Sequence, residues 1–318
     1  MPGYAIEDAL AFPGSRPHYL LMTLLGDYWF RRDESIVDAA LAGLLAEFGV
    51  PVSSAEAAVS RMTRQGMLEA LPDGSAPRYR TTSSGMQIIA EGAARIFTFG
   101  VRPPAWDGTW TRVSFGVPES MSRARNPLIR RLRWLGFAPL RSDWYAPGDR
   151  SAPAARAMSE VGVTAASIST GAVGERGDGN PIRAWDLDVL RARYQAFISR
   201  FGPVLERARG EGISGAEALV TRTATIDIWR SFLSFDPGLP AELLPPGWPL
   251  TEAAELFHAT YDLLGPCALS RVQKVLGEHD PAAAELAVIF TSQEFAHQPA
   301  RGLTRKWLSP HAADPVRG

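Results

Sequence analysis

Arg61 and Arg64 lie near the end of a short stretch otherwise made of small side chains. From Ser53 onward, Ala55, Ala58, Val59 and Met62 recur at helical spacing and make one narrow apolar stripe, with Ala57, Ser60, Arg61 and Arg64 on the opposite face. Ser53 and Glu56 have the spacing of a capping box, which predicts a helix start at Ser53. Gly66 predicts its end. A guanidinium on an exposed helix face suits phosphate and the O6/N7 edge of guanine, because its planar fork donates two parallel hydrogen bonds. Ser53, Ser54, Ala57, Ser60, Arg61 and Arg64 are therefore the candidate DNA contacts of this helix.

Other elements must hold that helix. His18 to Arg31 is an apolar run long enough for a helix. A second helix is expected from an Asp33 cap, with Ile36, Val37, Ala40, Leu41, Leu44, Leu45 and Phe48 on its apolar face and Gly49 as its stop. The short connection Gly49-Val50-Pro51-Val52 then gives two helices joined by a tight turn, the pattern of a helix-turn-helix. Met67 to Leu71 and Arg78 to Thr81 read as strands around turn residues 72–75, and Ser84 to Phe97 as a closing helix. The hairpin is a wing, whose Arg78 and Arg80 are placed to reach the flanking backbone or minor groove. The alternative is a winged helix that contacts protein, since the acids and bases of this module nearly cancel.

Arg102-Pro103-Pro104-Ala105 reads as a linker. Beyond it come a strand at Trp110 to Gly116, a helix at Met121 to Leu135, short strands at Phe137 to Leu140 and Trp144 to Ala146, a helix at Ala152 to Glu160 and a strand at Thr164 to Thr170. That order, βαββαβ, is the ferredoxin-like plan. Its arginines far outnumber its acids, which fits a solvated helix face, a second contact to DNA backbone, or a site for a phosphate-bearing effector. From Trp185 the period is helical again, with a break expected at Gly202-Pro203, a helix from Ala216 to Phe235, a loop with a short helical turn up to Trp248, and a helix from Thr251 interrupted near Gly265-Pro266. The expected organisation is α+β: a winged helix-turn-helix at 17–100, a ferredoxin-like domain at 108–173, an α-helical domain at 183–298 and a disordered tail at 299–318.

The remaining signals are negative. Of 318 residues only one, Cys267, is cysteine, so no disulfide framework or thiolate metal site is expected, and Cys267 itself reads as a small buried residue. The five histidines are scattered without metal-ligand spacing. No nucleotide-binding or nucleophile motif is present, so neither an enzyme nor a cofactor is expected. No signal pattern or bilayer-length apolar run occurs, which predicts a cytoplasmic protein.

Three stretches resemble a known family. They are Leu20-Leu21-Met22-Thr23-Leu24-Leu25-Gly26-Asp27-Tyr28 followed by Ala58-Val59-Ser60-Arg61-Met62 and Gly66-Met67-Leu68; Arg130-Arg131-Leu132-Arg133-Trp134-Leu135-Gly136-Phe137 leading to Trp144-Tyr145-Ala146-Pro147; and Trp229-Arg230-Ser231-Phe232-Leu233-Ser234-Phe235-Asp236-Pro237-Gly238-Leu239-Pro240 with Trp248. Together they resemble the PaaX family, repressors of phenylacetic acid degradation. The resemblance implies a homodimer that binds a double-stranded DNA operator and is released by a small effector, such as an acyl-coenzyme A of the phenylacetyl type. It also puts Arg61 first among the DNA contacts. Where the family carries arginine, this chain has Glu56, which can accept from cytosine N4 or close the capping box. Trp185, Tyr194, Trp229, Phe232 and Trp248 are candidate effector-pocket aromatics or ordinary core residues. Were the effector an acyl-coenzyme A, Arg130, Arg133, Arg183 and Arg230 are the candidates to meet its phosphates.

Overall fold

A computed structural model of the protein describes residues 16–71, 76–101, 105–116, 122–163, 166–172, 179–210 and 212–297. The turn expected at 72–75, most of the linker and the tail lie outside them. The fold is α+β, and its residues group into two compact units. One comprises 1–99, 194–234 and 250–318, the other 100–193 and 235–249.

The first unit begins with α1 (Pro17–Tyr28), β1 (Ile36–Val37), α2 (Asp38–Ala46), α3 (Val52–Arg64), β2 (Leu68–Leu71), β3 (Arg78–Thr81) and α4 (Ser83–Thr98). The strands form an antiparallel sheet in the order β1-β3-β2, with Ile36 opposite Tyr79 and Glu69 opposite Arg80. Three local expectations change. Ile36 and Val37 pair with β3 instead of starting a helix, so α2 begins at Asp38 and Asp33 is not its cap. Two adjacent β-branched residues suit a buried strand better than a first helical turn. The helix α3 starts one residue early, after Pro51, and has no side-chain cap. Ser53 thus lies inside the helix, and the Ser53–Glu56 capping box does not form.

Gly66 ends α3 at φ +71°, a conformation that favours glycine. Thr82 then caps α4 by accepting from the Gly85 N–H at 3.0 Å. Its hydroxyl donates to the Gly66 carbonyl at 2.6 Å, which fixes α4 against the end of α3.

Three longer helices follow: α7 (Leu187–Gly210), α8 (Gly215–Phe235) and α9 (Leu250–Gly277). Pro203 lies inside α7 and Pro266 inside α9, so neither helix breaks where expected. An interior proline costs about 3 kcal/mol. Here the apolar positions on both sides of each proline remain buried, Phe201 and Leu205 in α7 and Leu264 and Ala268 in α9, and their burial offsets that cost. Short helices α10 (Pro281–Leu286) and α11 (Ser292–Ala296) end the described chain. The core of this unit is aromatic: Trp229 stacks on Phe257, and Phe97 on Phe295.

The second unit carries β4 (Trp110–Phe115), α5 (Ser122–Trp134), β5 (Ala138–Leu140), β6 (Asp143–Pro147), α6 (Ser151–Glu160) and β7 (Ala166–Gly171). Its antiparallel sheet runs β5-β6-β4-β7. Val113, Leu128, Leu132, Phe137, Ala146 and Met158 close its core between the sheet and the two helices. No described helix is long and apolar enough to cross a membrane.

Candidate nucleic-acid interface

The helix α3 buries Ala55, Ala58, Val59 and Met62 and presents Val52, Ser53, Glu56, Ala57, Ser60 and Arg64 to solvent. Ser54 and Arg61 are half-buried at the margins of that face. The apolar stripe read from sequence is therefore the buried one. The polar face is open. Asp38, at the start of α2, has its carboxyl pushed above the usual range by burial and then by the neighbouring charge of Glu56. Burial and Asp38 in turn push up the Tyr79 hydroxyl.

The hairpin arginines are engaged within the fold. Arg78 donates from Nε to Ser35 Oγ at 2.9 Å and from Nη2 to the Ser35 carbonyl at 2.7 Å and to Asp280 Oδ2 at 2.8 Å. Pairing of β1 with β3 brings Ser35 alongside Arg78, and Asp280 comes from the cap of α10, just after α9. The fork of Arg78, expected to meet DNA, is held by Ser35 and Asp280 in this structure. Arg80 faces Glu69 across the hairpin and pairs with it at 2.8 Å, both side chains being well exposed.

What positions α3 is a set of polar locks from the later helices. Glu47, in the connection between α2 and α3, receives both Nε and Nη2 of Arg271 at 2.7 Å. Asp280 also accepts from the Val37 N–H at 3.2 Å. Deeper, Asp27 of α1 lies 3.4 Å from Nη1 of the fully buried Arg222, and Tyr261 donates its hydroxyl to Asp27 Oδ1 at 3.1 Å. The Arg222 guanidinium sits 3.7 Å from the Tyr261 ring centroid and donates to the Tyr261 carbonyl at 3.0 Å. Burial pushes the Asp27 carboxyl up to about 6, against the opposing pull of Arg222 and the Tyr261 hydroxyl. Sequence reasoning missed this cluster, although Asp27 inside an apolar run was a visible signal.

The effector candidates divide between the units. Arg230 is 3% exposed, bonded to Asp227 and to Thr23 Oγ1, and belongs to the core of the first unit. Tyr194, Trp229 and Phe232 are core aromatics of the same unit, with Tyr194 stacked on Phe232 at 4.3 Å. In the second unit Arg130, Arg133 and Arg183 are exposed, Trp185 packs on Trp110, and Arg191 covers the Trp248 ring at 5.1 Å. That unit holds a cavity of about 340 Å³ whose walls include Trp106, Gly136, Asp149, Arg150, Pro237 and Pro240. None of the nine aromatics and arginines named as effector candidates lines it. Cys267 is exposed on α9, not buried, because its position falls on the outward side of that helix.

Comparison with known proteins matches three family descriptions in succession. "PaaX-like protein" covers residues 16–85, "PaaX protein central Cas2-like domain" 103–180, and "PaaX-like protein C-terminal domain" 185–274. The chain is 26% identical over 270 residues to the transcriptional repressor PaaX of Escherichia coli strain K12, covering 80% of this chain and 82% of that protein. Its fold is similar to that of an uncharacterized protein from Mycobacterium tuberculosis, with a TM-score of 0.50 and 23% identity over 82% of this chain and 98% of the other.

Proposed function

The chain belongs to the PaaX family, and we propose that it represses transcription by laying α3 in the major groove of an operator. The observation that carries this is the open face of Ser53, Ala57, Ser60 and Arg64 on a helix whose other side is locked into the core. The element order α-β-α-α-β-β with a three-stranded sheet supports reading residues 17–100 as a winged helix-turn-helix. The sheet order of the second unit supports a ferredoxin-like plan for 108–173, leaving 183–298 as the helical segment.

The proposed DNA contacts are Ser53, Ser54, Ala57, Ser60, Arg61 and Arg64, with Arg80 at the flank. A cytoplasmic homodimer places two such helices in successive major grooves, roughly one helical turn apart. A small effector, an acyl-coenzyme A in the first instance, binds the second unit through exposed Arg130, Arg133 and Arg183 and shifts the dimer to a spacing that no longer fits. Titrating duplex from the upstream region at several salt concentrations tests the DNA reading. Affinity is expected to fall steeply as salt rises, through counterion release. Adding acyl-coenzyme A thioesters to the preformed complex tests the effector; retention of the complex with all of them removes that class.

A further inference from the structure

The open face of α3 is short of side chains that read guanine. Val52 is 61% exposed, more than the exposed Val101, Val189, Phe235 or Leu263. Glu56, Ala57 and Ser60 lie exposed after it, and Arg64 arrives only in the last turn. Neither Val52 nor Glu56 serves the fold. Val52 stands outside the buried stripe. Glu56 closes no cap, its side chain makes no hydrogen bond or ion pair among the described residues, and its charge opposes that of Asp38. Positions that break local rules without structural return are where function is expected.

We infer that α3 reads its operator through a thymine methyl packed on Val52 and a cytosine amino group bonded to Glu56. This rests on the groove reading above. In the major groove the thymine C5-methyl is the apolar feature, and cytosine N4 offers a donor with no competing acceptor. Guanine O6 and N7 are both acceptors and repel a carboxylate, so Glu56 selects against guanine as well as for cytosine. Val52 and Glu56 are four residues apart on adjoining turns of α3, about 6 Å along the axis. The two bases therefore fall within about two steps of one another.

The test uses the full-length protein to enrich bound duplexes from a random-sequence pool. The enriched motif is expected to hold a thymine and a cytosine within that spacing. Each thymine is then replaced in turn by deoxyuridine, which removes only the methyl. One position should lose about fourfold in affinity with the wild type, the value of one buried methyl, and nothing further with Val52→Ala. Selection with Glu56→Gln should replace the cytosine by adenine, whose N6 and N7 match a carboxamide. Circular dichroism on both variants checks that the fold is retained. Deoxyuridine without cost at every position, or with equal cost in Val52→Ala, overturns the Val52 assignment. A cytosine that persists with Glu56→Gln overturns the Glu56 assignment. A pool from which nothing enriches removes the groove reading itself and this inference with it, whereas a motif insensitive to methyl loss removes the inference alone.

Discussion

Arg78 of the β2–β3 hairpin donates to Asp280 at 2.8 Å, and they are 202 residues apart in sequence. The same carboxylate accepts from the Val37 N–H and, through Oδ1, from the Ala283 N–H at the start of α10. One side chain thus ties the sheet of the N-terminal module to the start of α10. A residue so placed serves the scaffold that holds α3.

Asp280→Ala is expected to destabilise the protein by about 2–4 kcal/mol. It leaves the inward-turned Arg78 without its carboxylate, frees a buried N–H at Val37 and removes a helix cap. The shift of the urea midpoint measures it. A change under about 0.5 kcal/mol, typical of ordinary surface substitutions, would show that the lock contributes little.

The Asp27 carboxyl gives a pH dependence of unusual sign. It titrates near 3.8 in the unfolded chain and near 6 in the fold. Between these values the folded chain keeps a proton that the unfolded chain has released. Its contribution to stability is therefore greatest at low pH, falls as pH rises through this window and levels off above about 6. Relative to Asp27→Asn, which keeps an acceptor for Tyr261, the wild type should lose up to about 3 kcal/mol between pH 4 and pH 7 in urea unfolding. A gap that stays constant, or widens in the wild type's favour with pH, contradicts the assignment.

Gly85→Ala should destabilise although alanine is the better helix former. A Cβ at Gly85 would stand 2.4 Å from the Met67 carbonyl oxygen, a backbone atom that cannot rotate away. The helix gains up to about 1 kcal/mol from the substitution and loses about 1–3 kcal/mol or more to overpacking. Thermal unfolding measures the balance, and an unchanged or raised Tm contradicts the close approach of α4 to Met67.

Much of this architecture was legible because local chemistry and global fold agree. The stripe Ala55, Ala58, Val59, Met62 and the glycine at Gly66 fixed the face and end of α3 from spacing alone. The βαββαβ order was readable because Val113, Ala146 and their neighbours alternate or recur with the right period. Other features were hidden. A strand of two residues, Ile36 and Val37, has too few positions to show a period. Pro203 and Pro266 signal breaks locally, and only the packing on either side of them carries the helices through. Arg78 reads as a wing arginine with no sign of its partner Asp280, and Glu47 as a loop acid with no sign of Arg271. Such partners lie more than two hundred residues apart, beyond the reach of any periodicity.

The open face of α3 is proposed to touch DNA, and charge reversal of that face tests this most directly. Ser60 is exposed at its middle, and Ser270 is exposed on α9, away from α3 in sequence. Fluorescence anisotropy with the protein's own upstream duplex at low salt should show at least a tenfold loss of affinity for Ser60→Glu, on the order of one charged contact to the phosphate field. Ser270→Glu should bind as the wild type does. Equal binding by all three proteins, or no binding by any of them, would contradict the account.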